Sequence, residues 1–566
     1  MTRKDLRTFL GFEGGFVSAV ARTLLAAHGR ALASLVVVVP GRRAGRKLLE
    51  ALVLQADGAI EPPRIVTEAG LARELSAREG TPASPALVEA AWLEVLASAE
   101  PAELATFQPE VAQAATWGTR VSLARQLAAL DRERAELGND ADADPRSRLA
   151  ALARLSARVR ERLRGAGRVD PAFALEAVRD PAARRSGVQV VLAGVTELSP
   201  TLRAVLDSLV PPPRALIQAT DACAAGFDAH GGIVSAYWAE REIPLRDEDW
   251  LPVDDPAAAI RAALAWIQRL PAGTATDEIA FGLPAAALLP GLAHACAERG
   301  LTLHAAAGTA TKTSAPWLAL DALHAWIARE DFSALASALR HPDVERHARA
   351  AASLSEGPAC SALLDAWHAE HLPDALRGAL PGEDEASASV RRLRDAVRTL
   401  CSELARADER PLTAWTAPIV ELVCRLFPAV GGEASPAERA TRQGLERFAE
   451  LAHDLGGLPP DFSALPLRGE QALRLWLDWT ADDALRDAPA ANAVEALGWL
   501  ELSMEDAPWL LLVGLNDGWV PENPRSHPLL GKESEAAQGE QARTRLARDV
   551  HALTAIALHR SGAPRR

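Results

Sequence analysis

The 566-residue sequence predicts an α/β protein with two parallel-sheet domains, each interrupted by a large all-helical insert. Three observations carry that expectation. Short β-branched runs such as "VVVV" (residues 36–39) and "VVLA" (190–193) stand alone between turn residues, as strands buried on both faces of a parallel sheet do. Each is followed by a turn and a stretch with helical spacing of leucines. Two long segments, rich in Ala, Leu, Arg and Glu, contain no strand signal at all. The order α/β, helical, α/β, α/β, helical, α/β follows. It places the first sheet domain in 1–80 and 171–230 around a helical insert at 81–170. The second falls in 231–315 and 486–566 around an insert at 316–485.

Along the chain, "VVVVPGRRAGRKLLEAL" gives a strand, a Pro40-Gly41 turn and a helix through Leu48, Leu49, Leu52 and Val53. "RIVTEAGLAREL" adds a second strand at Ile65-Val66 with a helix behind it. The chain is then almost wholly helical to about Arg168, with "NDADADPRSR" as an exposed turn. Strands return at 188–192 and in "RALIQATDA". Asp255-Pro256 opens an amphipathic helix. "TDEIAFGLPAAALLPGLAHACAERGLTLHAAAG" reads strand, helix, strand, at 278–283, 288–299 and 301–305. After the second helical stretch, "APWLLLVGLNDGWVP" is a further buried strand, followed by the terminal helix "QARTRLARDVHALTAIALHR".

The totals restrict function only loosely. The 61 basic and 75 acidic residues give a net charge of −14, which argues against a nucleic-acid-binding field over the whole surface but leaves room for a local basic channel. Cys223, Cys296, Cys360, Cys401 and Cys424 have no C-x-x-C spacing, and this odd, scattered set fits a reducing compartment. The N-terminal apolar stretch is broken by Glu13 and Arg22, and the run at 35–39 is too short to span a bilayer. The expectation is a cytoplasmic protein with no membrane partner.

The local sequences resemble the UvrD-like superfamily of DNA helicases, and most nearly its AddB/RecC-type subunits of bacterial double-strand-break repair helicase–nucleases. "VVVVPGRRAGRKLLEAL" resembles the segment after Walker A that contacts single-stranded DNA. "VVLAGVTELSPTLRAVLDSL" is similar to a Walker B strand followed by a Ser-Pro helix start. "LLLVGLNDGWVPENPRSHPLL" resembles a strand and turn late in the second motor domain. The resemblance implies two RecA-like domains, DNA (a single strand or a duplex end) as ligand, and an AddA-like helicase–nuclease subunit as partner.

The departures from the motifs bear on chemistry. Walker A needs G-x-x-x-x-G-K-[ST], because the Lys reaches the β/γ-phosphates and the hydroxyl holds Mg²⁺. Here "TFLGFEGGFVSAVARTLL" supplies Gly11, Gly14 and Gly15, no Lys follows, and Glu13 would repel a phosphate. The two Walker B acids fall on Ala193 and Gly194, leaving Glu197 without its partners. In "HALTAIALHR", Ala555 stands where the resemblance places an arginine finger. No cofactor is therefore expected, ATP and Mg²⁺ entering only if this degenerate site still binds them. "LLGKESEA" has no strand context for a PD-(D/E)xK nuclease site, so no catalytic residue and no metal ligand is assigned.

Candidate DNA contacts are Arg42, Arg43, Arg46 and Lys47, four cations at a helix start, and Asn516 with Trp519 in a turn where Trp519 could stack on a base. The plainer alternatives are a solvated basic cap and good Asn-Asp-Gly turn chemistry. "WHAEH" spaces His368 and His371 one residue short of the H-E-x-x-H metal pattern, so it reads as a helix face. Trp92, Trp317, Trp326 and Trp415 read as core. The function expected is a non-catalytic, helicase-like scaffold subunit. The alternatives are an active ATP-dependent helicase or exonuclease subunit, and an interaction scaffold that binds no DNA.

Overall fold

The computed structural model describes every residue outside 1–5, 78–79, 108–115, 138–146, 285, 355–358, 374, 429–434, 460–461, 463–464, 489–491, 523–534 and 561–566. Most of the "NDADADPRSR" turn and most of "LLGKESEA" lie outside the described residues. The fold is mixed α/β, 58% helix, with parallel sheets.

The first sheet has β1 (Arg7–Phe9), β2 (Leu35–Val38), β3 (Arg64–Val66), β4 (Gln189–Ala193) and β5 (Arg214–Ile217), in the order β1-β5-β4-β2-β3. Every neighbouring pair is parallel. Parallel strands need a crossover each time, and helices supply it on both faces. Alternate side chains divide between them as the strand period requires. Val37, Val39, Val191, Ala193 and Leu216 face α1 (Phe16–His28) and α2 (Arg42–Gln55). Val36, Val38, Val190 and Leu192 face the helix Glu68–Leu75 and α3 (Pro200–Asp207). Ser199 starts α3 by accepting a hydrogen bond from the Leu202 amide at 3.1 Å, which satisfies one of the helix's unpaired donors.

The second sheet contains β6 (Ile279–Gly282), β7 (Thr302–Ala305), β8 (Ala493–Leu497) and β9 (Trp509–Leu512), in the order β9-β6-β8-β7 and again parallel throughout. β8 sits in the middle of this sheet. It has no counterpart among the strands read from sequence, because Glu495 interrupts its apolar run. β9 is only half-buried along its length, as befits an edge.

The two helical stretches form one body. Leu87, Trp92, Leu127 and Leu155 from the first share a single hydrophobic core with Leu320, Trp326, Trp415 and Trp476 from the second. The helix Pro85–Ala97 is apolar on nearly every side because it lies at the centre of that core. Arg125 stitches the stretches together, with Nε 2.9 Å from Glu89 Oε1 and Nη2 2.7 Å from Asp478 Oδ2. Trp92, Trp317, Trp326 and Trp415 are all buried.

The terminal helix α4 (Glu535–His559) follows the second sheet in sequence and packs on both sheets, with Ile556 against Ala280 and Leu497 of the second. Ala547, Val550 and Ala555 join Phe12, Ile217, Phe227 and Trp238 in one cluster. His551 is enclosed there, 4.8 Å from the Trp238 ring and 5.4 Å from Phe227, and its Nε2–H donates to the Gln218 carbonyl at 2.9 Å. Burial pushes this imidazole down to about 4, against about 6.5 when exposed. Because the folded state refuses the proton, stability is complete above pH 6.5 and falls as pH drops toward 4, by about 3 kcal/mol. A pH series of denaturant midpoints checks this: His551→Phe is expected to flatten the decline, and an unchanged slope would refute the assignment. No helix among the described residues is long and apolar enough to cross a membrane.

Candidate functional site

The site is built where the carboxyl ends of the first sheet's strands meet the chain between β8 and β9. β1 runs into a turn in which Gly11, Gly14 and Gly15 all have φ near +80°, and Gly15 opens α1. A Cβ on Gly15 would lie 2.7 Å from Oδ2 of Asp506 and 3.1 Å from Oδ1. The Asp506 carboxylate therefore rests in the glycine turn, against the Phe16 backbone amide at the start of α1. Asp506 is an exposed residue, but protein crowding around its carboxyl raises it above the usual range. His559, Arg560 and the Phe16 amide pull the other way, while Glu505 adds to the rise.

β4 ends at Ala193, 1% exposed, and at Gly194, φ +66°. A Cβ on Gly194 would meet Met504 Cε at 2.5 Å and Phe16 Cε1 at 2.8 Å. Met504 belongs to the hydrophobic cluster of the first sheet, with Phe16, Val191, Ala193 and Leu216. The cavity left beside Gly194, Gln218 and His230 measures about 10 Å³, room for one water. Glu197 is held by α4: Arg548 Nη1 lies 3.0 Å from it and Arg548 Nε 2.8 Å from Asp549. Ala555, at the position resembling the arginine finger, is fully buried in the α4 core.

A Mg²⁺–nucleotide does not fit these residues. The glycine turn has no lysine and already carries a carboxylate, and the end of β4 offers no acid and is covered by a methionine. Ion pairs within the chain take up the charges around it. Arg43 is 6% exposed, its Nε 2.7 Å from Glu495 Oε2 and its Nη2 bonded to both Glu495 and Glu505. Burial opposes the Arg43 charge, but the two carboxylates outweigh it and hold its pKa above the ordinary value; Arg43 in turn holds Glu495 below its own, against burial. Arg46 Nη2 and His304 Nδ1 stand 3.8 and 3.7 Å from Glu495. Arg560 reaches the turn beyond, where Nη2 donates to the carbonyls of Glu505 and Ala507, both at 2.8 Å, and burial lowers its pKa to about 10.

The four cations expected to meet DNA thus divide. Arg43 is committed to the cleft, because buried carboxylates on β8 and after it need a counter-charge. Arg42 is exposed and makes no ion pair among the described residues, while Arg46 and Lys47 are each 41% exposed with Glu50 beside them. Asn516 builds its turn with the backbone, its carbonyl accepting from the amides of Trp519 and Val520 at 3.1 Å. Trp519 is 50% exposed. No hydrogen bond or ion pair joins this turn to α2 among the described residues. His368 stacks on Phe332 at 3.6 Å between centroids, and no group of His, Cys, Asp or Glu among the described residues could hold a metal.

Met504, Glu495, Glu505, Asp506, Arg548 and Arg560 went unread in the sequence, although Glu495 inside an apolar run and the "MED" before β9 are their visible marks. No protein-family model matches the chain, and no curated protein matches it.

Proposed function

We propose that the chain is a non-catalytic, helicase-like scaffold subunit of an AddB/RecC-type DNA end-processing complex. In this reading the two sheets are RecA-like domains that keep the shape of a motor without its ATP chemistry. They hold a DNA strand through backbone contacts, and an AddA-like partner supplies hydrolysis and cleavage. The observation that carries the reading is the filled cleft. Met504 lies where β4 would present its metal-binding acids, and Asp506 lies in the glycine turn where a phosphate would sit. The parallel sheets, the glycine turn after β1 and the Ser199-Pro200 helix start support the kinship with motors.

DNA contact falls to Arg42, Arg46, Lys47 and Trp519. Titrating labelled single-stranded DNA at two salt concentrations tests this. Replacing Arg42, Arg46 and Lys47 by Ser is expected to weaken binding at least tenfold. The slope of log K against log salt should fall by about 2, roughly 0.7 for each lost phosphate contact. Trp519→Ala is expected to weaken binding at either salt without changing the slope, since stacking releases no counterion. An unchanged affinity and slope in the triple variant would sink the DNA assignment.

A further inference from the structure

The segment 498–507, between β8 and β9, touches the first sheet with its flanking turns and helices, or the terminal helix with the residue after it, through Trp499 and Leu502 to Ala507. Trp499 Nε1 donates to Asp549 at 2.8 Å. Leu502 is fully buried in a cluster with Ala280 of β6 and Ile556 of α4. The Ser503 carbonyl accepts from Gln218 Nε2 at 2.9 Å, one residue past β5. Met504 enters the first sheet's core, Glu505 binds Arg43 on α2, and Asp506 fills the space above Gly15. Arg560 fastens the carbonyls of Glu505 and Ala507 from behind.

We propose that this segment is a built-in ligand of the cleft, in which Asp506 serves as the resident anion of the glycine turn and Met504 as its apolar filler. Between them they clamp the second sheet onto the β1–α1 turn, so the cleft stays closed with no nucleotide to close it. In a nucleotide-driven motor the two halves would be joined through a ligand that comes and goes. Here the joint is covalently part of the chain. The inference goes beyond the scaffold reading: it stands on these contacts and holds whether or not the chain binds DNA.

Hydrogen exchange on the full chain tests it. Asp506→Asn, nearly isosteric, is expected to speed exchange of the amides at 16–19 about tenfold and to leave the helical body at 317–326 unchanged. Mg²⁺–ATP at millimolar concentration should alter neither profile. Exchange at 16–19 equal to that of the unmodified chain, or protection of 11–20 by ATP in the unmodified chain, would overturn the proposal. A melting-temperature cycle decides the matter if any single variant loosens the whole protein. Gly15→Ala should lower the melting temperature less in an Asp506→Gly background, where its new methyl meets no carboxylate. An equal drop in both backgrounds would also overturn it.

Discussion

Gly194→Asp, which puts an acid at the end of β4 where the proposed kinship with motors places a Walker B residue, is expected to destabilise the protein by about 2–5 kcal/mol and to confer no hydrolysis. Two independent costs add. Gly194 has φ +66°, a left-handed conformation that costs an ordinary residue about 1–2 kcal/mol and Asp toward the low end of that. Its Cβ would stand 2.5 Å from Met504 Cε and 2.8 Å from Phe16, an overpacking that costs about 1–3 kcal/mol. Met504→Ala in the same chain should relieve only the Met504 part of the second cost, leaving the Phe16 contact and the first cost in place. Denaturant midpoints read both. A Gly194→Asp variant within about 0.5 kcal/mol of the parent, the usual range for an ordinary surface change, would mean that Met504 does not seal the cleft.

Arg43→Ala is expected to cost about 3–5 kcal/mol, the penalty for leaving buried carboxylates without their cation. The Arg43 side chain is 4% exposed and those of Glu505 and Glu495 are 9% and 19% exposed. Arg42→Ala, one residue away on the exposed side of α2, should cost no more than about 0.5 kcal/mol. The pair of variants separates a structural cation from a surface one in the same basic run. If both lost DNA affinity equally and neither lost stability, the Arg43–Glu495–Glu505 pairing would not hold the sheets together.

The strands most readable in the sequence are those buried on both faces. β2 is "LVVV" and β4 is "QVVLA", and the β-branched run is itself the signal. β1 escaped because it is three residues long and two of them are polar. β8 escaped because Glu495 breaks its run, yet that glutamate is the residue that receives Arg43. The shared core of the two helical stretches could not be read locally, since Arg125 and Asp478 meet across 353 positions of chain.

The cleft was half readable. That "TFLGFEGGF" carries no lysine after its glycines, and "VVLAGVTE" no acid at the end of its strand, is a property of sequence alone and visible there. What fills the space is a property of the fold. "MED" before β9 has no periodicity, and only the sheet order brings it against Gly15 and Gly194. Arg43 carried no such signal: at 100° per residue it lies about 140° around α2 from Leu48 and about 180° from Leu52, and only the carboxylates of Glu495 and Glu505 explain its burial.

The proposed scaffold role requires that this cleft turn over no nucleotide in a chain that holds DNA. Single-turnover ATP hydrolysis, measured with the full chain in excess over radiolabelled ATP and with saturating single-stranded DNA, tests it most directly. The expected result is phosphate release at the rate of the protein-free control, under conditions where labelled DNA is bound. Release that rises above that control when DNA is added would contradict the account.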